Sequence, residues 1–374
     1  MTAILPAGSN HTRLWGQTPR ERLARIAARE ELDFASGPGG GPLVANLDFV
    51  FDPAWVRLIA RRPNHVVTQG GVPVLANVSE LEARLAVTLA MREGRPANVP
   101  GLLLLPFEDV GSVANLDIGR AARPFMGRLT PGTVRALERE SYEAAYRDVA
   151  DLLTTHVWRE PALVLTRLAA RLGLSPNQVT GLTALLCAAA AMLFAWGWYW
   201  AGLATAIAVM VLDTVDGQLA RCTVRTTFLG KLFGGVLNLV HPPLWWWAWA
   251  TGLDGVGRPL QPDLLWYGLA ALAGGHFAQP LIERAFSARF GFSLHHWRAF
   301  DSRFRLVAAR RNPNLLLLSA FLAFGRPEWG IVAIAGWTLA SLLVHLLRFG
   351  QALAVRSRGG KVQSWRASDL SIRS

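Results

Sequence analysis

Six apolar blocks fill the second half of this chain, near residues 178–197, 199–220, 228–250, 263–283, 313–325 and 329–350. About 20 apolar residues carry a helix across the hydrocarbon core of a bilayer, and a helix satisfies all its own backbone polar groups there. The pattern predicts a membrane all-α domain, a six-transmembrane-helix bundle over 177–352, with the fifth block the shortest. Only 17% of the chain is charged, against roughly 25% in soluble proteins, and the deficit begins at about residue 178.

A net charge of +12 would by itself suit nucleic acid or an anionic membrane surface. The tryptophans argue for the membrane and against nucleic acid. Trp196, Trp198, Trp200, Trp245, Trp246, Trp247 and Trp266 cluster near block ends, as in an aromatic interface belt. The first 30 residues lack the apolar core of a signal peptide, so the N-terminus is expected in the cytoplasm. Loop 284–312 then also faces the cytoplasm and carries seven arginines, whereas the opposite loops carry only Arg258 and Arg326. The positive-inside rule gives an integral inner (plasma) membrane protein with both termini cytoplasmic. Cys187 and Cys222 have no metal or disulfide spacing and are expected to be buried.

The first half reads as a small cytoplasmic α/β module. Thr18-Pro19-Arg20-Glu21 is a capping box with proline at the first helical position, and it opens a helix in an N-terminal segment, 1–36. Residues 36–42 (SGPGGGP) read as a linker, because a phosphate-cradling glycine loop would follow a strand, not precede one. The module proper, 37–132, is expected to hold strands at 43–51 and 66–78, the second folded at Gly70-Gly71. A helix over 80–93 and a short buried strand at 101–105 complete it. Linker and interfacial helices follow over 133–176, and a basic tail over 353–374. Within the linker, 161–172 puts leucines on one face and Arg167 and Arg171 on the other, toward lipid phosphates.

The second block closes on Asp213-Thr-Val-Asp216-Gly217-Gln-Leu-Ala220-Arg221. Two carboxylates three residues apart share a helix face and repel, and a divalent cation there would offset the repulsion. Gly217 and Ala220 lie nearly along the same side and leave room for a ligand, while Arg221 can fork onto a phosphate. Carboxylates, a cation and a phosphate-binding arginine together point to metal-assisted phosphoryl transfer. The alternative is a helix end held by an Asp to Arg221 salt bridge.

Asp-x2-Asp-Gly-x2-Ala-Arg, eight residues and then Gly230 resembles the signature of the CDP-alcohol phosphotransferases, and Ser175-Pro176-Asn177-Gln178-Val179-Thr180 resembles the segment they carry just before it. The resemblance implies a six-helix domain over about 160–350. It also implies Mg²⁺ or Mn²⁺ on Asp213 and Asp216, and a CDP moiety against Gly217, Ala220, Arg221 and Gly230. The partners would be a CDP-linked donor, an alcohol acceptor and membrane lipid, with a homodimer as in many members. Such enzymes pass a substituted phosphate from the donor to the alcohol and release CMP. The family pattern continues with two further aspartates, a metal ligand and the base that activates the acceptor. This chain has Gly234 and Asn238 there. Glycine supplies no ligand, and Asn238 cannot take a proton near neutral pH. Gly230-x3-Gly234 also reads as a small-residue helix contact.

His241, three residues past Asn238 and followed by Pro242-Pro243, is the nearby replacement base, or else a polar residue at a proline kink. Arg303, Arg305, Arg310 and Arg311 could hold an acceptor phosphate or simply anchor to lipid headgroups. His295-His296 reads as solvated loop rather than a metal pair, since adjacent residues point apart. The module resembles the nucleotidyltransferase-like domains fused ahead of such transferases. It has no phosphate loop, and Asp48 and Asp52 read as turn residues. Two functions stay open: a phosphotransferase with impaired catalysis, and a pseudoenzyme that binds as a partner or regulator.

Overall fold

A computed structural model describes residues 3–35, 37, 41–115, 120–146 and 151–365. Most of the 36–42 linker and the end of the tail beyond 365 lie outside the described residues.

The N-terminal module is built on a six-stranded sheet. Its strands are β1 (Ala3–Ala7), β2 (Asp33–Phe34), β3 (Leu43–Asn46), β5 (His65–Gln69), β6 (Val72–Asn77) and β7 (Leu103–Pro106), ordered β2-β1-β3-β6-β5-β7. The hairpin turns at Gly70 and Gly71, both with positive φ, where glycine adopts the left-handed region without strain. Helices α1 (Pro19–Arg29) and α2 (Pro53–Ala60) cover one face through Leu23, Ile26, Trp55 and Ile59. Helix α3 (Leu81–Glu93) covers the other through Val87, Ala90 and Met91.

Three expectations change here. The N-terminal segment is part of the sheet, since β1 pairs with both β2 and β3. The run 43–51 splits, because β4 (Phe49–Phe51) leaves the sheet to pair with β10 (Met126–Arg128); separately, β8 (Val113–Asn115) pairs antiparallel with β9 (Arg120–Ala122). The strand at 103–106 is an edge, with Leu103 and Leu104 exposed rather than buried.

Helices α4 (Val134–Ala144), α5 (Leu152–His156) and α6 (Arg159–Arg171) lead to α7 (Pro176–Ala195), α8 (Tyr199–Cys222), α9 (Phe228–Gly255) and α10 (Pro262–Phe290). Then come α11 (Ala299–Arg305), α12 (Arg311–Ala323) and α13 (Pro327–Ser357). Among the described residues α7, α8 and α13 are long and apolar enough to cross a membrane. Their outward faces carry large apolar side chains such as Leu182, Leu185, Leu339 and Leu343, which mark an integral membrane protein. The 13 residues of α12 run only about 20 Å, short of a ~30 Å hydrocarbon core.

The tryptophan belt divides. Trp196, Trp198, Trp200, Trp247 and Trp266 are exposed, whereas Trp245 and Trp246 are buried in the bundle core, the former donating to the Cys187 carbonyl at 2.9 Å. Helix α6 presents Val164 and Leu168 outward, as does Leu172 at its cap, but Arg167 does not reach for lipid phosphates. It pairs with Glu138 at 2.8 Å.

The module grips the end of the motif helix. Arg22 donates to the Cys222 carbonyl and Gln17 to the Thr223 carbonyl at 3.1 Å. Helices leave their last carbonyls without internal partners and favour cations there. Gln17 just before α1 and Arg22 within it thus close the C-terminus of α8, and Val224 joins the module core.

Candidate functional site

A cleft of about 430 Å³ opens where the N-terminal ends of α7 and α9 meet the C-terminal end of α8. Asp213, Asp216, Gly217, Ala220, Arg221, Gly230, Gly234 and Asn238 all line it. Local chemistry places them. Ser175 and Gln178 form a capping box and Pro176 takes the first helical position, so α7 starts at a fixed residue. Thr227 caps α9 by accepting from the Gly230 amide at 3.0 Å. A Cβ on Gly230 would meet Asn177 Oδ1 at 2.8 Å, so glycine lets the two helix starts close together.

Gly217 serves its own motif. A Cβ there would meet both terminal nitrogens of Arg221 at 3.2 Å, so the guanidinium folds back over the glycine. Gly234 is different. Among the described residues nothing lies within 4 Å of a Cβ at that position, so it makes no close helix contact with them and faces the cleft.

The carboxylates have distinct partners. Asp216 accepts from the Thr180 hydroxyl at 2.6 Å. Asp213 accepts from Asn238 Nδ2 at 3.2 Å and from Arg311 Nη2 at 2.8 Å, while Arg311 Nη1 donates to Asn238 Oδ1 at 2.6 Å. One guanidinium therefore forks across the carboxylate and the amide that stands in the acidic position. The neighbouring Asn312 donates to Asp151 at 2.9 Å and so ties the start of α12 to the cap of α5.

The four candidate arginines, Arg303, Arg305, Arg310 and Arg311, do not converge, and none of them lines the cleft. Arg303 is exposed, Arg305 is half-buried, and Arg310 binds Glu283 at 2.6 Å. His241 is buried, its Nδ1 donating to the Leu237 carbonyl at 2.8 Å and its ring against Trp245, and it does not line the cleft either. The proline pair does what proline does inside a helix. Without the Pro243 amide the Leu239 carbonyl is free, and His276 Nε2 donates to it at 3.0 Å.

Asn177, Arg225, Lys231 and Tyr146, to which the sequence assigned no site role, also line the cleft. Arg225 and Lys231 were visible as cations flanking the motif loop. Tyr146 lies in another segment and carried no signal. Burial raises the pKa of its hydroxyl, against the opposing effect of its hydrogen bond with Tyr142. His295 also departs from expectation: it is buried, not solvated, and faces Glu283 and His345.

With Arg221, Arg225 and Lys231 facing Asp213 and Asp216, and Arg311 neutralising Asp213, the lining is net positive. Such a cleft suits an anionic ligand of phosphate type. No curated protein matches the chain. The CDP-alcohol phosphatidyltransferase family model does match it over residues 173–236, the stretch from the start of α7 to the cleft face of α9, and this establishes the family resemblance of the site-bearing segment.

Proposed function

We propose that the protein is a membrane phosphotransferase of the CDP-alcohol type, acting in phospholipid synthesis. It would take a CDP-linked donor in the cleft and pass its substituted phosphate to an alcohol. The observation that carries this is the assembly of Asp213, Asp216, Gly217, Ala220, Arg221 and Gly230 around one positively lined cleft, within the matched segment. The six-helix membrane domain, the cytoplasmic ends and a homodimer belong to the same reading.

The donor set fits one divalent cation, Mg²⁺ or Mn²⁺, better than two. Asp213 is already countered by Arg311, Gly234 offers no ligand, and among the described residues Asp216 accepts only from Thr180. Asp216, with Asp213 as second ligand, would hold the ion, which when bound supplies charge neutralisation for the donor diphosphate. Arg221 and Lys231 would hold phosphate oxygens, and Gly217 and Gly230 admit the nucleotide close to backbone. Asn238 orients Asp213 and cannot accept the acceptor's proton. Losing such a base costs on the order of 10²–10⁴ in rate.

The second reading, binding without turnover, is favoured by one observation: Arg311 bridges Asp213 and Asn238 where the family pattern has acidic groups. Binding of CDP-linked alcohols with Mg²⁺ or Mn²⁺, set against CMP release from the same sample, separates the two. Release at any rate that is lost in Asp216→Asn supports the transferase. Saturable binding with no release supports the pseudoenzyme, and absence of binding refutes both.

A further inference from the structure

A second cluster of chemistry-bearing side chains lies outside the cleft. Glu283 on α10, His295 in the short turn Leu294–His296 and His345 on α13 place three ligand atoms within 4.8 Å of one another. Both histidines are buried, at 4% and 1% exposure. Their Nε2 atoms lie 3.1 and 3.2 Å from the same oxygen, Glu283 Oε1.

The hydrogen bonding of His345 narrows what this cluster is for. Its Nδ1 lies 2.7 Å from the Ser341 carbonyl, which can only accept, so Nδ1 carries the hydrogen. A neutral His345 then points the Nε2 lone pair at a carboxylate oxygen, and two acceptors face each other in a buried space. A cation between them resolves the clash. The backbone carbonyl behind the ring is also the usual support for a metal-bound imidazole. Tetrahedral zinc with bonds near 2.05 Å keeps its ligand atoms roughly 3.3 Å apart, which the two observed separations approach.

We propose that Glu283, His295 and His345 form a binding site for a zinc-class divalent cation, independent of the cleft. The ligand set is two imidazoles and a carboxylate, with a fourth position open, and it excludes the hard, oxygen-seeking Mg²⁺. Arg310 now occupies Glu283 Oε1 at 2.6 Å, and its partly exposed side chain would turn toward solvent when the cation takes that oxygen. The ion would tie α10, the 291–298 turn and α13 together. It would thereby steady the loop whose next residue, Arg311, holds Asp213.

The full chain, purified in detergent and stripped with chelator, is titrated with Co²⁺ as a spectroscopic stand-in for zinc. One equivalent with intense visible d–d bands, displaced by Zn²⁺, is expected. His295→Gln and His345→Gln should weaken binding by at least tenfold, and Asp213→Asn/Asp216→Asn should leave it unchanged. X-ray absorption on the zinc-loaded wild type needs no variant and should count two imidazoles. Absence of a saturable band in folded wild type, a band that survives both histidine variants, or one lost in the aspartate variant overturns the proposal.

Discussion

In a Gly234→Asp/Asn238→Asp variant the cleft gains two carboxylates on the face of α9 that looks toward Asp213. Space is no obstacle at 234, where a Cβ meets nothing within 4 Å among the described residues. At 238 the substitution replaces an N–H donor 3.2 Å from Asp213 Oδ1 with a like charge, a repulsion of about 5 kcal/mol at an effective dielectric of about 20. Arg311 Nη1, 2.6 Å from the side-chain oxygen at 238, returns an attraction of about 6 kcal/mol on the same footing. The two nearly cancel, so the fold should survive with only a small change in melting temperature in chelator. The net positive charge of the cleft is cancelled and its carboxylates are doubled, so a divalent cation should stabilise the variant more than the wild type, by mass action. Because the second carboxylate restores a group able to take the acceptor's proton, CMP release in Mg²⁺ should rise on the order of 10²-fold or more. The assay is CMP release from a panel of CDP-linked alcohols in detergent micelles, beside thermal unfolding with Mg²⁺ and with EDTA. Equal release by both forms, with both folded, would refute the argument that positions 234 and 238 limit catalysis. So would a variant whose unfolding ignores Mg²⁺.

Three further outcomes are expected. Arg311→Gln removes the charge partner of Asp213; with the two side chains 28% and 25% exposed, the cost should be about 1–3 kcal/mol. Mg²⁺ affinity should rise in that variant, and a Tm and Mg²⁺ affinity both unchanged would show the pair to be idle. Arg22→Met leaves the Cys222 carbonyl without its donor and should cost about 1–3 kcal/mol, with faster proteolysis at 223–227; equal protease resistance would deny the module its hold on α8. Tyr142 is buried and donates to the Arg159 carbonyl at 3.0 Å, and burial raises its hydroxyl well above the ordinary value of 10.0. A folded-state pKa raised this way contributes stability that is whole below pH 10 and is lost as pH climbs beyond it. Tyr142→Phe should therefore unfold more readily at pH 8 but show a shallower alkaline decline, and parallel pH curves for the two proteins would contradict this.

What the sequence alone determined was local or periodic. Thr18 with Glu21 and Ser175 with Gln178 form their capping boxes because each acts over three residues. Asp213 and Asp216 share the cleft because helical spacing puts them on one face. The apolar blocks declared a membrane, since no soluble fold buries so many such runs. Tertiary structure decided what lies across the chain. Arg311, 98 residues past Asp213, meets it only because the start of α12 packs beside α8, and nothing in either segment names the other. His295 passed for a solvated loop because its partners, Glu283 and His345, lie on separate helices. Trp245 and Trp246 looked like interface residues because hydropathy cannot tell a lipid-facing tryptophan from one packed between helices. Whether Asp213 faces a cation or an arginine is likewise a matter of helix packing, because an electrostatic partner is chosen by distance in space and not along the chain.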